Sequence, residues 1–358
     1  SIPEVLTGQE ALDFILADLE AAIANAPATV ALSGDANGRA SKAAARYLKA
    51  KVLLNKHIYV GGSPDSGDMA EVVSLVDAIT ADGYALQDGY FDLFLPDADT
   101  ETIWSLEANT INKVVMGLHY NNTSIQGGGW NGFSTLAEFY DLFEGDSEFN
   151  ELDASQNPAN GQEERRGGVP TVGVAFADQP YASELDGYVD GSNVGYGFLI
   201  NQQYALDGTP LKDRQGAPLT FKNNDETTGI RIQKYAARNG EASISHQIVF
   251  RYADAHLMKA EAIFRSGGDP TAMINDLRTI RNTQELLGTV SEQDILDERG
   301  RELYQEAWRR NDLIRFGQFG RDWLFKAPGT IDNDAYNVFP IPPAQLLANP
   351  NLVQNPGY

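Results

Sequence analysis

Side chains able to do acid–base, metal or nucleophilic chemistry are scattered along this chain and form no complete motif. The four histidines, His57, His119, His246 and His256, show neither HExxH spacing nor pairing with cysteine, and there is no GxSxG nucleophile elbow. Hydrolases of those kinds are disfavoured. Glu298, Glu302 and Glu306 recur every fourth residue, which would align three carboxylates on one helical face as a bundle-core metal or acid–base site requires. The ExxH partners of such a site are missing. Arg299, Arg301, Arg309 and Arg310 lie close by, and Arg278 and Arg281 sit on the preceding helical stretch, so a charge network between helices is the better account.

Two further patterns fail on inspection. Gly127-x-Gly129-x-x-Gly132 satisfies the dinucleotide fingerprint on paper, yet no βαβ unit surrounds it, which leaves an ordinary flexible loop. Asp153-x-Ser155-x-Asn157 with Glu164 at the twelfth place resembles a calcium loop in its oxygen ligands. Pro158 stands at the sixth position, where the sharp turn calls for glycine, so an EF-hand is disfavoured and a solvated acidic turn expected. No catalytic residue, metal site or cofactor is implied.

Aromatics carry the positive signal. A sugar ring offers apolar C–H faces that stack on Trp and Tyr, and hydroxyls that need amides and carboxylates at the rim, so a binding site mixes both. The middle of the chain does so. Trp130-Asn131 lies in a glycine-rich stretch, and Tyr181, Tyr188, Tyr196 and Tyr204 lie among Asp190, Asn193 and Gln202. We take Trp130, Asn131, Tyr181, Tyr188 and Tyr196 as the candidate ligand contacts. The competing reading for each aromatic is that it pins its own loop to the scaffold. Trp104 and Trp308 are expected in the core, and Trp323 fits packing or contact equally.

Composition narrows the classes. With 27 basic and 50 acidic residues the net charge is -23, which repels phosphate backbones and argues against nucleic-acid binding. The absence of cysteine rules out disulfides and thiolate metal sites within this sequence. No apolar run reaches the roughly 18–20 residues of a bilayer-spanning helix.

The elements that must position these residues are mainly helical. Thr7 and Glu10 form a capping-box pattern ahead of Leu12, Ile15, Leu19 and Ile23 on one face. A second helix is expected from about Ser41 to His57, with Ala43, Tyr47, Ala50 and Leu54 inward, and a third from Met69 to Thr80. Near the other end, Phe250, Ala253, Leu257, Ala260 and Phe264 share a helical face that stops at Gly267-Gly268. Asp269-Pro270 opens the next helix, and Ser291 with Asp294 the one after, whose Leu296, Gly300, Leu303 and Ala307 lie on one side. Between the two helical groups the 3.6-residue period is lost. Residues 103–106 and 230–235 read as strands and 135–143 as a short helix, in a loop-rich region of the kind that tends to carry function. The expected organisation is therefore scaffold helices over 1–83, a loop-rich ligand-binding insertion over 84–246, scaffold helices over 247–320 and a tail over 321–358.

The small residues from Ala255 to Ala272 resemble the helix-turn-helix unit of tetratricopeptide repeats. The wording is more particular. RYADAHLMKAEAIFRSG, NDLRTIRN, ILDERGRELYQEAWRRNDLIRFG and the ending VFPIPPAQLLANPNLVQNPGY together resemble the SusD/RagB family, and SIPEVLTGQEALDFILADLEAAI, GRASKAAARYLKAKVLLNKHIY and GYALQDGYFDLF extend the likeness upstream. The resemblance implies a mainly α, tetratricopeptide-like helix-pair scaffold with a long loop-rich insertion containing short strands. It further implies a nutrient-binding surface lipoprotein of Bacteroidota, without enzymatic activity, that holds an oligosaccharide or polysaccharide and delivers it to a SusC-like TonB-dependent transporter of the outer membrane. A peptide is the alternative ligand, and a glycan-cleaving enzyme or a plain repeat scaffold are the other readings. By the same resemblance an amino-terminal portion carrying the lipid anchor precedes Ser1, and that anchor is the only membrane attachment implied. The family's binding loops vary, so no ligand residue is carried over by match.

Overall fold

The structure is a computed structural model that describes residues 2–28, 39–94, 99–107, 120, 134–147, 150–152, 161–170, 196–200, 210–219, 229–235 and 246–358. Three helices come first: α1 (Gly8–Asn25), α2 (Lys42–Val60) and α3 (Ser66–Ala81). Short strands follow, β1 (Thr102–Glu107), β2 (Ser134–Thr135), β3 (Glu151–Leu152), β4 (Gly167–Pro170), β5 (Tyr196–Leu199), β6 (Ile230–Gln233) and β7 (His246–Arg251), with the one-turn α4 (Ala137–Tyr140) after β2. The C-terminal part is α5 (Tyr252–Arg265), α6 (Thr271–Ile280), α7 (Glu292–Leu303), α8 (Arg309–Arg315) and α9 (Pro343–Ala348).

The helix starts follow local chemistry. Ser41 Oγ accepts from the Ala44 amide at 3.2 Å, and the Asp65 carboxylate accepts from Gly67 and Asp68. Ser291 and Asp294 close the expected capping box, each side chain bonded to the other's backbone N–H. Asp269 accepts from Thr271 as α6 begins. Along α2 the expected inward residues Ala43, Tyr47, Ala50 and Leu54 are wholly buried, as are Val72, Val76 and Ile79 of α3.

Helices pack as successive neighbours, α1 on α2, α2 on α3, α3 on α5, and α5 on α6 and α7. One core joins α2, α3 and α5 with Ile103 of β1 and Phe250 of β7, so the first and last helical groups share a single interior. A second holds Leu257, Ile274, Leu277, Ile295 and Leu303 between α5, α6 and α7. A third packs the turn at Tyr90–Phe94 against Tyr140, Phe143, Phe198, Ile230 and Tyr304, which seats the strands on the helices.

Three expectations are corrected. Thr7 makes no side-chain cap bond, and Ile15 is 43% exposed; α1 packs on α2 through the buried Leu12 and Leu19, with Leu16 and Ile23 half-buried. Phe250 is on a strand, not on a helical face: β7 pairs antiparallel with β1, Phe250 opposite Trp104, and these main-chain bonds hold the backbone extended until the Tyr252 amide donates to the Glu101 carbonyl at 2.7 Å. The third C-terminal helix stops at Leu303, before Glu306 and Ala307, because the backbone turns left-handed at Gln305 (φ 59°) and Ala307 (φ 68°). The carbonyls that α7 leaves open are satisfied from outside. Lys234 Nζ donates to the oxygens of Glu302 and Tyr304, and the Tyr90 hydroxyl also donates to Glu302.

Candidate functional site

The glutamate stripe is structural. Glu298 and Glu302 are wholly buried on α7, and each is closed by arginines from several elements. Glu302 receives Arg251 at 2.7 Å, Arg281 at 3.0 Å and Arg165 at 3.2 Å; Glu298 receives Arg165 at 2.7 Å, Arg278 at 2.8 Å and Arg301 at 2.6 Å. Glu101 joins through Arg251 and Arg281. These guanidiniums hold the Glu298 carboxyl down at about 2 and the Glu302 carboxyl well below the usual carboxylate range, against the upward push of burial. Saturated carboxylates offer neither an acid nor a free metal ligand. Their work is to fasten Arg165, at the foot of β4, and Arg251, at the end of β7, to the helices. A second buried cluster, Lys51, Asp254, Arg299, Asp312, Arg315 and Glu261, joins α2, α5, α7 and α8 in the same way.

The candidate contacts Trp130, Asn131, Tyr181 and Tyr188 lie outside the described residues, as do Asp190, Asn193, Gln202 and Tyr204; Tyr196 is described only as the first residue of β5. The strands that flank these stretches are described. β2, β6, β5, β4 and β3 form one sheet in that order. Ser134 and Leu199 both pair with Arg231, while β4 pairs antiparallel with β5, Gly168 opposite Tyr196. β2 and β5 thus run one way and β4 the other. The chain therefore enters β2 four residues after Trp130, leaves β4 before Tyr181, and re-enters β5 at Tyr196, all toward the same end of the sheet.

Among the described residues an open cleft of about 500 Å³ lies beyond the other end of β2. Thr135, Leu136 and Phe139 form one side, Gln293 and Asp297 of α7 another, and Arg309, Arg310, Phe319, Arg321 and Trp323 the rest. Phe319 and Trp323 meet edge to face, their centroids 5.8 Å apart, and also border a second hollow of about 250 Å³. The pair is a partition between two openings. Gln318 donates to Gln293 across the cleft at 2.7 Å, and Glu138 accepts from the Leu324 amide. Gly300 permits the close packing behind it: a Cβ there would meet Arg309 Nη1 at 2.7 Å and Phe139 at 3.3 Å. Burial pushes the Asp297 carboxyl up and the Arg309 guanidinium down.

Of the two arginines of α8 expected in the interhelical network, Arg309 does reach α7, whereas Arg310 makes no ion pair among the described residues. Arg309 is 3.9 Å from Asp297 and donates to the Leu296 carbonyl; Arg310 donates to the Tyr336 carbonyl. Both line the cleft. Phe319, Arg321 and Gln318 went unnoticed, and Trp323 remained open between packing and contact. The available signal was the run from Phe316-Gly317 to Phe319-Gly320, aromatics set where glycine ends the helix. Trp104 and Trp308 pack against the core as expected.

Comparison with known proteins decides the family. The SusD family model matches residues 100–358. The chain belongs to the SusD family. It is 28% identical over 364 residues to the starch-binding protein SusD of Bacteroides thetaiotaomicron, covering 90% of this chain and 61% of that protein. This SusD-family chain thus spans about three-fifths of the length of the curated relatives it matches. Among solved structures, a SusD-like protein from Bacteroides fragilis superposes with a TM-score of 0.65 at 19% identity, over 98% of this chain and 71% of that one. Surface glycan-binding protein A from Bacteroides thetaiotaomicron gives 0.64 at 18% identity, over 96% and 70%. At that identity the likeness establishes the fold, the mainly α, tetratricopeptide-like scaffold expected from the sequence.

Proposed function

We propose that this protein captures a glycan at the cell surface without breaking a bond in it, and passes it to a SusC-like TonB-dependent transporter in the outer membrane. The observation that carries the reading is the alignment with a starch-binding relative across 90% of the chain, inside a family match that takes in the whole C-terminal scaffold. The proposed contacts are Trp130, Asn131, Tyr181, Tyr188 and Tyr196, in the loops of the 84–246 insertion. Their attachment points at one end of the sheet favour this placement, because loops that share a base can close on one ligand. The base is stiff: the buried Arg165 pairs clamp the foot of β4, a strand of that sheet, onto α7. Aromatic stacking with amide and carboxylate rims would supply both affinity and orientation. A lipid anchor of the kind the family resemblance implies would hold it to the outer membrane.

The test is a binding panel of soluble polysaccharides, oligosaccharides and peptides, with ligand mass followed throughout. Saturable binding of a glycan that keeps its length supports capture. Binding of peptides alone, or shortening of the glycan by pure protein, would overturn it.

A further inference from the structure

The cleft beside Trp323 differs from the interior of this protein in how its arginines are partnered. Seven buried guanidiniums are closed by carboxylates: Arg165, Arg251, Arg278, Arg281, Arg299, Arg301 and Arg315 each have one within 2.8 Å. In the cleft, Arg321 has Glu138 at 3.7 Å and Arg309 has Asp297 at 3.9 Å, while Arg310 has no carboxylate partner among the described residues. Each also lies against an aromatic ring. Arg321 is 5.3 Å from the Trp323 centroid, Arg310 5.0 Å from Phe319 and 4.1 Å from Phe339, and Arg309 5.5 Å from Phe139. Such stacking orients a guanidinium plane and leaves N–H groups at its edge for an acceptor.

We propose that this cleft is a second glycan site, and that it takes a sugar bearing a carboxylate, a hexuronic acid residue, with the carboxylate on Arg321 and Arg310 and the ring against Trp323 and Phe319. The inference rests on the glycan-capture reading and adds a ligand class to it. A guanidinium fork matches a planar carboxylate in two parallel hydrogen bonds, while the half-buried aromatic pair suits the apolar face of the ring. The volume of about 500 Å³ lies in the range of small-ligand pockets. Net charge of -23 opposes any anion at long range. Screening at physiological salt confines that field to about 8 Å, and the charged lining of the cleft itself is Arg309, Arg310 and Arg321 against Glu138 and Asp297. The cleft lies at the C-terminal end of β2, whereas Trp130 precedes the N-terminal end of that strand by four residues in sequence.

The experiment titrates the full chain with four-residue oligomers of galacturonate, glucuronate and mannuronate, and with their methyl esters, which keep the ring and lose the charge. At least one acid should bind saturably, with its ester roughly tenfold weaker or more. Arg321→Gln should bring the acid down to the level of the ester, Trp323→Ala should weaken both, and the dependence of acid binding on Arg321 should persist in the Trp130→Ala background. Arg321 is 43% exposed, so its variant should keep the wild-type melting temperature. Acid and ester binding alike, no acid binding at all, or acid binding indifferent to Arg321→Gln would each overturn the inference. Acid binding lost in Trp130→Ala would place the acid in the central loops, ending the second site while capture stands. Acid binding that needs Arg321, with no glycan depending on Trp130, would keep the second site and remove the central one.

Discussion

Arg281 and Glu302 face each other in the interior, both wholly buried, with Arg281 Nη2 3.0 Å from Glu302 Oε1 and Nε 3.2 Å from both carboxylate oxygens. Arg251 and Arg165 reach the same carboxylate from β7 and from the foot of β4. Glu302 is therefore the point where the strand-bearing insertion is tied to α6 and α7. Removing one member of such a group strands the others without their counter-charge, at a cost of about 3–5 kcal/mol. Glu302→Ala should lower the free energy of unfolding in urea by that amount. A loss under about 1 kcal/mol would show that the cluster does not hold the insertion.

Acid should unfold the protein through the same carboxylates. Arginines hold Glu298 and Glu261 at about 2, against an ordinary value of 4.5, and Glu302 well below its ordinary range. A depressed folded-state pKa gives stability that is complete above the unfolded value and is lost as pH falls through the folded one. The urea midpoint should fall steeply between pH 4.5 and pH 2. A flat profile across that window would contradict the paired state of these groups.

On the alkaline side Lys234 gives a slope of the same sign, in a different pH window. Burial among Tyr90, Phe94 and Tyr304 pushes its ammonium from 10.5 down to about 7, although Glu306 pulls the other way. Between these values the unfolded chain binds more protons, so the contribution of Lys234 to stability rises with pH and is lost as pH falls through about 7. Over pH 7 to 10 the wild type should gain stability relative to Lys234→Met, by up to about 1.4 kcal/mol per pH unit. Parallel profiles for the two proteins would refute the low value.

Legibility in the sequence tracked how local each cause was. Ser41, Asp65 and Ser291 act on amides two or three residues away, and the faces of α2 and α3 repeat at helical spacing, so those elements could be read directly. Phe250 misled because three residues of spacing to Ala253 suits a helix, whereas its extended backbone is imposed by β1, some 145 residues earlier in the chain. The end of α7 carries no glycine or proline; its turn is held by Lys234 and Tyr90, both distant in sequence. The cleft was hidden for the same reason, since four separate segments meet there and only Trp323 stood out alone.

Gly300 offers a test of the packing behind that cleft. Alanine is the better helix former by about 1 kcal/mol, but its methyl would sit 2.7 Å from Arg309 Nη1 and 3.3 Å from Phe139. Overpacking of this kind costs about 1–3 kcal/mol. Gly300→Ala should lower the melting temperature, and a rise would mean that Arg309 moves aside freely.

Glycan capture by the central loops is tested most directly by calorimetric titration of the wild type and Trp130→Ala with oligosaccharides, beginning with an α-glucan because a relative is named for starch. Loss of a stacking aromatic in a desolvated site costs about 2 kcal/mol or more, some thirtyfold in affinity. The account predicts saturable binding to one neutral glycan, of unchanged length, weakened at least that far in the variant. Equal affinity in the two proteins would contradict it.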